Sequence, residues 1–303
     1  MSLRMVLYEV DDSTGEIHEI NPEEYVIYPA SIVDAQAEYK RKMYARNASG
    51  YSDRFVWATY ELLAPWFSEV SHSDIVRMVF LATYISYNGY LSGGNHRALN
   101  VKDVKRLIGL SDRRFYDFWS TTTKAHLLCE KDGKIYADSK VFRKGELRPA
   151  VVSKYAEKGV YFTRLYADSV RQLYHAVPAS SVRVSSYIFQ VMPFVNREFN
   201  IVCHNPLETD LEKVQPLKLS EFCELVGYNK RGSRRLLGQL AGMRITVDGE
   251  EQPAVSYEKY PARQLTYGIF INPNIYYAGS DILAVELMGA FRRRDRIPER
   301  KEG

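Results

Sequence analysis

One pattern occurs twice in the chain, and this repeat limits the fold more than any other feature. Residues 99–122 read LNVKDVKRLIGLSDRRFYDFWSTT, and residues 217–240 read LKLSEFCELVGYNKRGSRRLLGQL. Each has Leu-x-Val or Leu-x-Leu, then Leu-Ile-Gly or Leu-Val-Gly, then an aliphatic or aromatic residue, then two to four basic residues. The segments that close each copy, KIYADSKVFRKG (134–145) and GIFINPNIYYAG (268–279), agree better still. Both are an apolar run, a polar turn, an aromatic residue and a glycine. Residues 71–87 and 181–195 also correspond, which puts Asn196 parallel to Asn88. From Gly109 to Gly145 the first copy spans 36 residues, and from Gly227 to Gly279 the second spans 52. The difference is expected in residues 248–264, as a longer polar loop containing Pro253 and Pro261.

The first copy shows what one unit should be. Val101, Val104 and Ile108, with Leu107, form the apolar stripe of a short helix. Gly109 can close that helix in the left-handed conformation only glycine adopts cheaply. Ser111 or Asp112 can cap the next helix, whose inner face is Phe115, Phe118 and Trp119. Asp132-Gly133 between two apolar runs signals a hairpin. Helix, helix, turn, helix, hairpin is the order of a winged helix-turn-helix.

Elsewhere, 7–10 and 16–20 flank a turn-rich run and predict a hairpin. Residues 31–48 read as a polar helix capped by Ser31. A helical pattern is expected over 53–67, through Phe55, Tyr60, Leu63 and Trp66, and again over 161–177 and 282–291. The expected fold is mainly α with small antiparallel β wings, built as two tandem winged helix-turn-helix units. An acidic extension occupies 1–53, the units occupy 54–150 and 151–291, and a basic tail occupies 292–303.

The run FINPNIYYAG at the end of the second copy resembles the C-terminal wing of Gram-positive plasmid and phage replication proteins, including the RepL-like family. The two-copy layout is similar to plasmid initiators with two winged helices. The resemblance covers mainly 217–279, with an echo at 99–145, where Ala137-Asp138-Ser139 replaces Ile-Asn-Pro. It implies origin DNA as the partner.

Charge points the same way. The net charge is only +4, but it is unevenly spread. Residues 1–53 carry −5, residues 101–145 carry +5 and residues 292–303 carry +3. Arg113, Arg114 and Lys124 fall on or after the first recognition helix. Lys230, Arg231, Arg234 and Arg235 fall on the second, with 231, 234 and 235 expected on one helical face. Lys131, Lys134, Lys259 and Arg263 fall on the wings, where phosphate contact is expected. Arginine suits two-pronged contacts with phosphates and guanine edges. A solvated face with local ion pairs is the alternative for any single residue, but two clusters at equivalent positions of a repeat favour double-stranded DNA. Residues 1–53 are a candidate contact for a replication or transcription protein.

Several classes are not expected. The six histidines contain no His-x-His pair beside a nucleophilic tyrosine, so a nicking enzyme is not expected. Neither a phosphate-binding GxxxxGK[ST] loop nor HExxH nor GxSxG occurs. Cys129, Cys203 and Cys223 are scattered, and Cys203-His204 alone is a poor metal arrangement. No cofactor, metal or catalytic residue is assigned. The 23 tyrosines are expected mostly in the core. No apolar run approaches the about 18–20 residues of a membrane span, and MSLRMVLYEV lacks the pattern of a signal peptide. A cytoplasmic DNA-binding protein is expected, as a replication initiator. A transcriptional regulator on the same scaffold and a protein-interaction module are the alternatives.

Overall fold

The computed structural model of the chain describes residues 7–10, 17–20, 55–59, 70–178, 181–247, 249–260 and 263–279. The expected helices over 31–48 and 282–291, the stretch 60–67 and the basic tail lie outside the described residues. β1 (Leu7–Val10) and β2 (Ile17–Ile20) pair antiparallel, Leu7 opposite Ile20, as the turn-rich run between them predicts.

The first copy runs β3 (Phe55–Thr59), α1 (His72–Ala82), α2 (Val101–Ile108), α3 (Asp112–Lys124), β4 (Leu128–Lys131), β5 (Lys134–Ala137) and β6 (Phe142–Arg143). α4 (Pro149–Ala156) follows, with proline at its first turn, where a missing N–H costs nothing. The second copy runs β7 (Phe162–Tyr166), α5 (Ala167–Ala176), α6 (Val182–Gln190), α7 (Leu219–Leu225), α8 (Ser233–Ala241), β8 (Arg244–Val247), β9 (Glu250–Pro253), β10 (Val255–Tyr260), β11 (Arg263–Ile271) and β12 (Tyr276–Tyr277).

This is a mixed α and β chain, not a mainly α one. Among the described residues, eight α-helices stand beside twelve strands, in one four-stranded and four two-stranded antiparallel sheets. Two runs expected as helix account for much of the difference. Phe-Val-Trp-Ala-Thr at 55–59 is strand, because aromatic and β-branched side chains fit a pleated surface. Residues 162–166 are strand as well, and the helix expected from 161 begins only at Ala167. All five residues of β7 are buried. A strand covered on both faces shows no two-residue alternation to read.

The four-stranded sheet, in order β12-β7-β3-β6, takes two strands from each copy. Its register has an approximate two-fold axis between Trp57 and Arg164, which lie directly opposite each other. Trp57 also pairs with Arg143, and Arg164 with Tyr277; Ala58 pairs with Phe142, and Leu165 with Tyr276. The side chains follow the same symmetry. Trp57 Nε1 donates to the Gly145 carbonyl at 2.9 Å, and Arg164 Nη2 donates to the Gly279 carbonyl. The Thr59 N–H donates to Val141 at 2.9 Å, and the Tyr166 N–H to Ile275 at 3.0 Å. Asp138 and Asn272 each accept the N–H two residues on, both at 2.9 Å. The alignment of 134–145 with 268–279 thus holds at the level of individual hydrogen bonds. The outlying match does not: Ser86 and Asn196 donate equivalent backbone bonds, to Tyr90 and Ile201, so Asn196 corresponds to Ser86 and not to Asn88.

α1 and α6, equivalent in the repeat, pack on each other. α1 buries Ile75, Val76 and every residue from Met78 to Ala82. α6 buries 184–189. Each large apolar side chain so buried contributes about 1.5–3 kcal/mol. A net hydrogen bond contributes about 1 kcal/mol. The copies are therefore joined in two ways, by the five-residue pairing of β3 with β7 and by the packing of α1 on α6. Tyr174 on α5 stacks on Phe80 of α1 at 3.9 Å. Arg171 on α5 donates to the Thr83 carbonyl at 2.7 Å and lies 3.8 Å over the Tyr84 ring.

Tyr276 closes this core. Its hydroxyl donates to the Ile188 carbonyl at 2.8 Å, and burial pushes its phenol well above the ordinary value. Tyr276→Phe is expected to cost about 1–2 kcal/mol by urea denaturation at pH 7. Above about pH 10 the unfolded chain releases this proton while the folded chain keeps it. Wild-type stability from this group therefore falls as pH rises above the ordinary phenol value, and the gap to the variant should narrow.

Candidate nucleic-acid interface

In each copy a short helix, a left-handed glycine and a second helix position the predicted basic residues. α2 opens with reciprocal capping. The Asn100 side-chain oxygen accepts the Asp103 N–H at 3.0 Å, and the Asn100 N–H donates to the Asp103 carboxylate at 3.2 Å. That backbone bond first, with Arg97 at 3.0 Å, holds the Asp103 carboxyl below its ordinary value. Gly109 ends α2 at φ 67°, and its N–H donates to Lys105 at 3.2 Å. Tyr174 donates to the Ile108 carbonyl at 2.8 Å, which fixes the end of α2 against α5. An ion pair between Lys105 and Asp112 ties α2 to the first turn of α3.

In the second copy the Lys218 N–H donates to Glu221 at 2.7 Å. This bond first, then His204 at 3.3 Å, lowers the Glu221 carboxyl. Gly227 takes φ 65°, the counterpart of Gly109. The Tyr228 N–H then donates back to Cys223 at 2.8 Å.

α3 buries Phe115, Phe118 and Thr122, and Trp119 stacks on Phe115 at 6.0 Å. Arg113 and Lys124 lie on the opposite face and Arg114 on its flank, all three exposed. β4 and β5 form the expected hairpin, with Asp132 at φ 52° and Gly133 at φ 68°. Positive φ at both turn residues matches the twist of the strands. Lys131 and Lys134 stand opposite each other at its tip, both exposed. Lys134 also sits 5.2 Å from the Tyr90 ring centroid.

The second copy departs from expectation in three places. Arg231 is not on the helix with Arg234 and Arg235. It lies in a 3₁₀ turn, Lys230–Gly232, because Asn229 accepts the Arg231 N–H at 3.0 Å and delays the α-helix to Ser233. Lys230 is ion-paired with Glu224, so its charge is partly spent. The extra length is not one long loop tip. A separate hairpin, β8–β9, precedes the wing, with Gly249 at φ 83° in its turn. Gln172 of α5 anchors this hairpin: its oxygen accepts the Thr246 N–H at 2.6 Å and its amide donates to the Thr246 carbonyl at 3.0 Å. The wing proper is β10–β11, where Val255 faces Ile271 as Leu128 faces Ala137. Exposed Lys259 faces Tyr267, and Arg263 opens β11 opposite Tyr260.

Arg231, Arg234 and Arg235 are exposed. No ion pair is found for them among the described residues, nor for Arg113 and Arg114. These five guanidiniums are free for an anionic partner. One surface residue escaped the sequence reading. Tyr116, 63% exposed, shares the outer stripe of α3 with Arg113 and Lys124. Its ring also meets Phe115 edge-on at 5.8 Å. Its helical phase, three residues past Arg113 and away from Phe118, was the available signal.

A methyl group added at Gly109 or Gly227 meets nothing within 4 Å. Gly109→Ala and Gly227→Ala should therefore pay only the left-handed backbone, about 1–2 kcal/mol each, read by chemical denaturation. Among the described residues no helix is long and apolar enough to cross a membrane, and no group of three metal-ligating side chains is found. No protein-family model, curated protein or solved structure matches the chain, so the reading of this surface rests on its own geometry.

Proposed function

We propose that this chain binds double-stranded DNA in a sequence-specific way, through α3 and α8 as groove-reading helices and the β4–β5 and β10–β11 hairpins as phosphate contacts. The observation that carries this reading is the recurrence of exposed, unpaired arginines in or just before the first turn of both helices, Arg113 and Arg114 in one copy and Arg231, Arg234 and Arg235 in the other. Each cluster follows a left-handed glycine that sets the angle between two short helices. Two such helices related by a two-fold axis suit successive major grooves, about 34 Å apart on one face of the duplex.

The role we favour is replication initiation at a plasmid or phage origin in the cytoplasm. The two-unit layout and the closing FINPNIYYAG segment support it through their likeness to such initiators. Residues 1–53 would recruit a further replication protein, and the chain would take duplex melting from the host. The three cysteines, all free thiols, suit a reducing compartment.

The test is selection from a random duplex pool at two salt concentrations. A common sequence should emerge, with affinity falling steeply as salt rises. Arg234→Ala with Arg235→Ala should weaken binding tenfold or more, by the rough worth of one or two charge-assisted contacts, and should flatten the salt dependence. Thermal unfolding should not change, since both side chains are exposed. Unchanged affinity in this variant would sink the assigned surface.

A further inference from the structure

Residues 99–122 and 217–240 align without a gap. Buried Val104, Ile108, Phe118 and Thr122 correspond to buried Phe222, Val226, Leu236 and Leu240, each 118 residues further on. Gly109 and Gly227, both left-handed, keep the same separation. On this register Arg113 is matched by Arg231, Tyr116 by Arg234, and Asp117 by Arg235. The frame is shared, but the exposed residues are not. One copy presents an aromatic ring and a carboxylate where the other presents two guanidiniums.

The sheet register supplies the second element. Its axis between Trp57 and Arg164 relates the copies by a two-fold rotation, not a translation. A two-fold pair of reading helices matches the local dyad of duplex DNA, so the two half-sites run in opposite directions.

We propose, resting on the DNA reading above, that the target is an inverted pair of unequal half-sites, told apart by Tyr116 in one and Arg234 in the other. Arg234 takes guanine through O6 and N7. Tyr116 lays its ring against the 5-methyl of thymine at the equivalent position. Arg113 in the first turn of α3 and Arg231 in the 3₁₀ turn before α8 supply phosphate contacts, which carry no sequence. Asp117 repels phosphate where Arg235 attracts it, so the second unit supplies more of the salt-dependent binding. The chain thus has a direction on its DNA, although its backbone is nearly two-fold.

The experiment is selection from a random duplex pool with the full chain and with Tyr116→Arg, Tyr116→Phe and Arg234→Tyr. The wild type should enrich an inverted pair with guanine in one half and thymine in the other, equally far from the centre. Tyr116→Arg should turn that thymine to guanine, with a preference of roughly tenfold or more. Tyr116→Phe, which keeps the ring, should retain thymine and also shows that the surface survives substitution. Arg234→Tyr should lose guanine in the other half. Identical halves or a direct repeat for the wild type would overturn the proposal, as would an unchanged site for Tyr116→Arg, while leaving DNA binding intact. No enriched sequence for the wild type would instead remove the underlying DNA reading.

Discussion

The antiparallel pairing of β3 with β7, centred on Trp57 opposite Arg164, sets the rest of the structure. Each of these residues reaches out to hold the glycine that ends its own copy. Trp57 holds Gly145 and Arg164 holds Gly279, both through a side-chain N–H to a carbonyl. An indole and a guanidinium thus do one job, because both place a planar N–H donor at similar reach. The Arg164 charge is buried, which would be costly alone. It is met by carbonyl oxygens and by the faces of Trp57 and Tyr277, at 6.0 and 5.6 Å from the ring centroids.

From that axis the order of parts follows. The strands bring α1 and α6 together, and their buried, mostly apolar faces supply the common core. α5 links this core to α2 and to the β8–β9 hairpin. It stacks Tyr174 on Phe80, holds the end of α2 through Ile108, and anchors the added β8–β9 hairpin through Gln172. One helix therefore touches both copies, through Ile108 in the first and Thr246 in the second.

Several buried positions differ in size between the copies but stay apolar or internally bonded, as with Phe118 and Leu236, or Thr122 and Leu240. Others differ in kind: buried Phe115 is matched by half-buried Ser233, and buried Cys223 by half-buried Lys105. Thr122 is tolerated because its hydroxyl donates to the Phe118 carbonyl at 2.8 Å. The exposed positions changed charge outright, Asp117 against Arg235.

Local chemistry was legible in the sequence. Gly109 and Gly227 announced their left-handed turns, Asp132-Gly133 its hairpin, and Phe115 and Phe118 their inner face, since each depends on a few neighbouring residues. The closing segments 134–145 and 268–279 aligned correctly because their turns, at Asp138 and Asn272, use the same short-range bond. The strands β3 and β7 were not legible, because strand against helix over five residues is decided by partners about a hundred residues away. The same holds for Arg231, drawn off the helix by Asn229, and for the split of 244–271 into two hairpins, which Gln172 fixes from α5. Sequence alone determined the repeat, its turns and its basic residues. The tertiary structure decided the two-fold relation between the copies, since that relation exists only in the pairing of two distant strands.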